Sequence, residues 1–281
     1  MNYSEKIEKR ESVRTFEERE VSEKKIAEIK AYFDEAKRLD SSIGVELQVF
    51  TGNAKNRLEG AAGYKGYALM APAYLVILSE EKPHYLENAG YVCEDMILKL
   101  VEMGLDNCWI STGDAAATKR ALLIESDKTV AALVAFGYGK KDDDVRIDIK
   151  TPSNVVTEAR KGHAAEKIAE TELVYQNKWK QPVDWESGVV YKQLDAALYA
   201  ASLAPSYLNI QPYRFLLREN YVLLVLDEKA AIDEKEAMLD LGAVMLNFAA
   251  VYQENTGNGA WEFVEGTDNE SDHHVTASFV I

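Results

Sequence analysis

Residues 90–109, GYVCEDMILKLVEMGLDNCW, and residues 242–261, GAVMLNFAAVYQENTGNGAW, follow one plan. Each reads as an amphipathic helix, a glycine-containing turn and the start of a strand. Gly90 and Gly242 lie 152 positions apart, as do Trp109 and Trp261, with no gap between them. Apolar strands flank both segments: AYLVILS (73–79) and YVLLVLD (221–227) upstream, VAALVAF (130–136) and VTASFVI (275–281) downstream. A repeat at this period constrains the fold more than composition does, since each copy must bury the same helix face against the same set of strands. The expected fold is α+β, two tandem unequal copies forming a pseudo-dimer, with mixed or antiparallel sheets flanked by helices. Each copy is a leading helix, then strand, long helix, strand, strand. VSEKKIAEIKAYFDEAKRL (21–39), capped by Ser22, leads the first copy, and KQLDAALYAASLA (192–204) leads the second. Residues 1–140 form the first half and 189–281 the second. The linker, 141–188, holds an acidic turn and a helix expected from Thr157 to about Glu172.

With 281 residues the chain is long enough to bury a sizeable core as one large domain or two small ones. A net charge of −15 and a pI near 4.8 argue against nucleic-acid and anionic-membrane partners. The charged N-terminal stretch lacks the apolar core of a signal peptide, and no run reaches the roughly 18 apolar residues of a membrane span, so a cytoplasmic location is expected. Cys93 and Cys108 fit neither a metal spacing nor a disulfide framework and read as buried, inert thiols. Asp142, Asp143 and Asp144 lack calcium-loop spacing, and His273 and His274 have no ligand partners at zinc spacing, so no metal is expected. No Ser-His-Asp set or paired carboxylates stand out.

KRESVRTF (9–16) places Arg10, Ser12 and Arg14 at alternate positions. In an extended segment these side chains project on one face. Two guanidiniums and a hydroxyl on one face form a receptor for a phosphate dianion. The triplet also reads as a solvated basic turn balanced by neighbouring glutamates, and spacing leaves both readings open.

Taken together the motifs resemble the FMN-dependent nitroreductase family. RESVRTFEEREVSEKKIAEI (10–29) is similar to the family's opening Arg/Ser/basic signature and the helix after it. APSYLNIQPYRF (204–215) is similar to its A-P-S-x-x-N-x-Q-P loop, EMGLDNCWISTGD (102–114) to its helix, Gly turn and C-W-I strand, and VAFGY (134–138) to a later strand. The order departs from the family's usual one. The A-P-S loop ordinarily follows the first helix, where this chain has KRLDSSIGVELQVF (37–50), and it comes instead after the leading helix of the second copy. The second copy in turn begins WESGVVYKQLDAA (185–197), without the Arg-x-Ser-x-Arg triplet. The resemblance is therefore to a branch with an internal duplication, a fused dimer retaining one composite flavin site.

The resemblance implies FMN as cofactor, NADH or NADPH as electron donor, and a nitroaromatic, quinone or similar small acceptor in a ping-pong cycle, with no catalytic side chain of the protein. It assigns Arg10, Ser12 and Arg14 to the FMN phosphate and ribityl chain, and Lys150 to the phosphate, with Arg146 as the weaker match. Pro205, Ser206 and Asn209 approach the isoalloxazine ring, while Gln211 and Pro212 shape the turn. Ser111 and Thr112 act through main-chain N–H groups. Tyr64, Lys65 and Tyr67 either line the edge of the ring or pack into core and surface. The chain is expected to complete its site as a monomer, with further dimerisation open. A flavin carrier or sensor without physiological reductase activity is the alternative.

Overall fold

In the computed structural model, residues 1–140, 145–151, 154–159, 165–185, 194–264 and 274–281 are described, residues 145–151 and 154–159 by their backbone alone. The chain divides into two units, Lys9–Ala164 and a second made of Met1–Glu8 with Ala165–Ile281. Helix α1 (Tyr3–Lys9) opens the chain, and in the second unit the Tyr3 N–H donates to Glu254 at 2.8 Å.

The first unit contains α2 (Glu23–Phe33), β1 (Val45–Thr51), α3 (Ala54–Leu58), β2 (Ala73–Ser79), α4 (Tyr85–Glu102), β3 (Asp106–Ile110), α5 (Ala115–Leu122) and β4 (Thr129–Gly137). Ser22 caps α2 as expected, its hydroxyl accepting from the Lys25 N–H. That helix stops at Phe33, short of residue 39, where the chain turns to meet α4. The sheet runs β1-β2-β4-β3, antiparallel throughout. Every residue of β2 is buried, as an apolar run covered on both faces requires. Helix α4 packs on one face, and thirteen of its eighteen residues are buried. The other face carries Leu58, Ala68, Tyr74, Ile110 and Leu122 in one cluster.

Strands β5 (Val145–Thr151) and β6 (Asn154–Ala159) follow as an antiparallel pair. The helix expected from Thr157 is not formed there, since Thr157 pairs with Ile147 in β6. The β-branched run Val155-Val156-Thr157 loses side-chain freedom in a helix and favours a strand. Helical structure in this stretch is confined to α6 (Glu170–Leu173) among the described residues.

The second unit continues with β7 (Val174–Gln176), α7 (Asp195–Ser202), β8 (Tyr213–Leu217), β9 (Tyr221–Leu226), α8 (Glu234–Thr256), β10 (Trp261–Phe263) and β11 (His274–Val280). Its sheet runs β10-β11-β9-β8-β7. Read from β8, the order β8-β9-β11-β10 repeats the β1-β2-β4-β3 order of the first unit, with the parallel strand β7 added at the edge. Both long helices fall between the second and third strands of their set. Both close on a left-handed glycine, Gly104 at φ 68° and Gly257 at φ 77°. The sequence plan omits β1 and β8, the strand that precedes each central pair.

Phe248 on α8 is fully buried and centres the core of the second unit. Its ring lies 5.7 Å from Phe215, 5.2 Å from Trp261 and 5.0 Å from Phe279, bringing together β8, β10 and β11. Phe248→Ala is expected to cost about 3–5 kcal/mol, because an aromatic side chain deleted from a rigid core leaves a cavity. Urea unfolding followed by circular dichroism measures this loss.

Candidate functional site

The N-terminal segment of the first unit attaches to the edge of its sheet. Ser12 bridges Asn107 at the start of β3 in parallel sense, and the Val13 N–H donates to the Asn107 carbonyl at 2.9 Å. Phe16 then bridges Gly139, and the Glu17 N–H donates to Tyr138 at 2.7 Å. This extended course gathers the alternate side chains. Arg10 Nη1 lies 3.4 Å from the Ser12 hydroxyl, and Arg14 Nη1 donates to the Ser12 carbonyl at 3.1 Å. The Arg10 Nε is buried and makes no hydrogen bond among the described residues.

Three residues that sequence reasoning did not place here complete the cluster. Glu94 on α4, fully buried, faces Arg10 with 3.9 Å between Oε1 and Nε. Trp109 Nε1 donates to the other Glu94 oxygen at 3.3 Å. Cys108 sits alongside: burial pushes its thiol up, while Arg14, Arg10 and the Ser12 hydroxyl pull it back. Both cysteines are free and buried, and the raised pKa keeps Cys108 protonated at neutral pH. The available signal for Glu94 was a carboxylate embedded in the apolar run YVCEDMILKL, which demands a cationic partner if buried.

At the other end of β3, Ser111 and Thr112 lead into α5, whose first turn is capped by Asp114 accepting from Ala116 and Ala117. The Gly63 N–H donates to the Ser111 carbonyl at 2.7 Å, and the Thr118 hydroxyl donates to the Thr112 carbonyl at 3.2 Å. The Gly63 contact docks the short turn holding Tyr64, Lys65 and Tyr67 beside this segment, with Tyr64 and Tyr67 bridged to each other. Lys150 lies on β5 at its register shift, and the Arg146 backbone stands opposite Glu158 of β6 in the strand register. Asp142, Asp143, Asp144 and His273 lie outside the described residues.

In the second unit, residues 204–212 form a tight loop. Leu208, Asn209 and Gln211 all have left-handed backbones, at φ 49°, 60° and 52°. Such a conformation costs a residue bearing Cβ about 1–2 kcal/mol and is tolerated best by asparagine. The surroundings impose it. The Ser206 hydroxyl accepts from the Gln211 N–H at 3.0 Å, and Asn209 Nδ2 donates to the Glu166 carbonyl at 2.7 Å. The buried Gln211 amide accepts from the Ile168 N–H and donates to the Asn209 carbonyl, the part of a turn-shaping residue. Pro205, Ser206 and Asn209 stay partly exposed on the loop.

The loop is pinned to α8 by Asp240, whose two carboxylate oxygens accept from the Tyr207 N–H at 2.9 and 3.1 Å. Asn88, 152 positions earlier on α4, does the equivalent work in the first unit by accepting from the Leu39 and Asp40 N–H groups. Asp95 and Asn247, again 152 apart, form a second such pair. Asp95 accepts from the Lys37 N–H, and Asn247 donates to the Ala200 carbonyl. Burial pushes the Asp240 carboxyl well above the usual range, and Glu236 adds to it, against the Tyr207 N–H and Lys167.

Comparison with known proteins agrees with this architecture. A family model described as "Putative TM nitroreductase" matches residues 2–251, and the chain belongs to the nitroreductase family. A crystal structure of a "putative nitroreductase" from Thermotoga maritima MSB8 is similar in fold, with a TM-score of 0.59 at 17% identity, covering 100% of this chain and 94% of that one. An FMN-dependent nitroreductase from Clostridium difficile R20291 is 24% identical over 49% of this chain and 87% of that one, with a TM-score of 0.42. A nitroreductase with bound FMN from Bacteroides fragilis NCTC 9343 is 17% identical, covering 56% of this chain and 100% of that one, with a TM-score of 0.43. No curated protein matches the chain. Among the described residues, no helix is long and apolar enough to cross a membrane.

A prediction follows from Asp240. A carboxyl whose folded pKa is raised above its unfolded value near 3.9 contributes stability at low pH that is lost as pH rises through the folded pKa. Asp240→Asn is expected to remove that loss and raise the thermal midpoint at neutral pH, since Asn88 shows that an amide accepts the same kind of N–H. Thermal midpoints of the two proteins across a pH series measure both effects.

Proposed function

We propose that this chain is an FMN-dependent oxidoreductase that takes electrons from NADH or NADPH and passes them to a nitroaromatic, quinone or similar small acceptor. The observation carrying the reading is the convergence of Arg10, Ser12 and Arg14, with a buried Arg10 Nε left without a hydrogen bond. Glu94 faces Arg10 at 3.9 Å without a hydrogen bond, and a phosphate dianion would satisfy the guanidinium donors that the carboxylate leaves unbonded. The donor set therefore fits the phosphate end of FMN.

In this reading Arg10, Ser12 and Arg14 hold the phosphate and the adjoining ribityl hydroxyls, with Lys150 as a further cation. Ser111 and Thr112 present main-chain N–H groups toward N5 and O4 of the ring. The Ser111 carbonyl already accepts from Gly63, which fixes the peptide plane that carries the Thr112 N–H. Pro205, Ser206 and Asn209 contact the ring, and Gln211 holds their loop in its left-handed course. FMN supplies the two-electron relay between nicotinamide and acceptor, so the protein contributes orientation and electrostatics rather than an obligatory acid or base. Pairs 152 residues apart and the repeated strand order support an origin of the two sheets in one duplicated unit, and with it one FMN per chain.

The test is the absorbance spectrum of the purified protein after reconstitution, with flavin-to-chain stoichiometry after denaturation and bleaching of the flavin absorption band by NADH or NADPH. About one FMN per chain, reduced by nicotinamide and reoxidised by acceptor, is expected. Retained flavin that no nicotinamide reduces would favour a carrier or sensor, and absence of flavin would sink the proposal. Arg10→Ala and Asn209→Ala are each expected to weaken FMN by about tenfold or more, the scale of a lost hydrogen bond to a charged group. Fluorescence titration reads this.

A further inference from the structure

Glu94 lies beside the Arg10 cluster. It is a fully buried carboxylate in the middle of α4, a helix with thirteen of its eighteen residues buried. Removing a carboxylate from water is costly unless a partner compensates, so such a group persists where it has a defined partner. Glu94 has two. Its Oε2 accepts from Trp109 Nε1 at 3.3 Å, which fixes the carboxylate plane against β3. Its Oε1 faces Arg10 Nε at 3.9 Å, and the Arg10 side chain is only 9% exposed. The guanidinium is thereby turned with its Nε edge to Glu94 and Nη1 to the Ser12 hydroxyl. The position 152 further along, on α8, is Leu246, fully buried, so a helix of the same plan accommodates an aliphatic side chain there.

We infer that Glu94 is a positioning residue for phosphate recognition: it orders Arg10 before the ligand arrives, so that phosphate binding does not bear the full cost of freezing a flexible arginine. That cost is the rotamer freedom of a long side chain. The inference rests on the FMN reading above and adds to it a residue that does not itself touch the cofactor. Its signature is selectivity for the phosphate. Loss of Glu94 should affect FMN and spare riboflavin, which has the same ring and ribityl chain without the phosphate. A merely structural role would weaken both flavins together.

The experiment measures dissociation constants for FMN and riboflavin by fluorescence titration of full-length apoprotein. The set is wild type, Glu94→Gln, Glu94→Leu, Arg10→Ala and Arg10→Ala/Glu94→Gln, with apoprotein thermal midpoints alongside. The expected result is FMN weakened about tenfold by either Glu94 change, riboflavin unchanged within about twofold, and the double variant no weaker than Arg10→Ala alone, as for residues acting as one unit. FMN binding that is unchanged or tighter in Glu94→Gln overturns the inference, because the carboxylate then only competes with phosphate. Parallel loss of both flavins, or additivity in the double variant, overturns it as well. Wild-type protein binding neither flavin fails at an earlier point, removing the FMN reading and this inference with it.

Discussion

A polar side chain on a helix buried nearly all round must find its partner in whatever segment passes over it, and that requirement organises both units. Asn88 and Asp95 on α4 fix the 37–40 segment, while Asp240 and Asn247 on α8 fix Tyr207 and the end of α7. A buried amide or carboxylate left unsatisfied costs more than a hydrogen bond gains, so the loops are not free to drift. The loop of the first unit and the loop of the second are set by the same device. Only the second carries the Pro-Ser…Asn residues, and only there does a carboxylate, Asp240, stand at the position that Asn88 holds in the first unit.

That carboxylate runs against stability. Its raised pKa means that the charged form is poorly solvated where it sits, and an amide serves at the matching position. The same loop holds three left-handed residues with side chains. Costs concentrated in one short segment are the pattern of a functional loop, where surrounding structure enforces a geometry that local preference resists. The Arg10 cluster in the first unit follows the opposite logic. Arg10, Ser12 and Arg14 need only an extended backbone, which the edge of β3 supplies, and their donors are braced by Ser12 and Glu94.

Legibility in the sequence followed the range of the interactions. Strand β2 matched its apolar run residue for residue, and the Ser22 cap was where the Ser-Glu-Lys-Lys stretch placed it. Both signals are local: hydrophobic run length and a side chain reaching three residues ahead. The helix expected at Thr157 failed because charged residues downstream hid a β-branched run that finds its partner in β5. Glu94 could be read as a buried carboxylate in need of a cation. That the cation is Arg10, 84 positions earlier, depends on the N-terminal segment lying along β3.

The sequence by itself determined the repeated plan of strand, long helix and paired strands, the alternation of Arg10, Ser12 and Arg14, and the loop rich in Pro, Ser, Asn and Gln. These follow from periodicity and residue chemistry, which act over a few neighbours. The tertiary structure decided the partners: Glu94 for Arg10, Trp109 for Glu94, Asp240 for the loop, Gly63 for the Ser111 carbonyl. Each joins residues far apart in the chain, and each exists because burial leaves a charge or an N–H group without water. The need for a partner is written in one residue, but its identity is settled only by what the fold brings within about 3 Å of it.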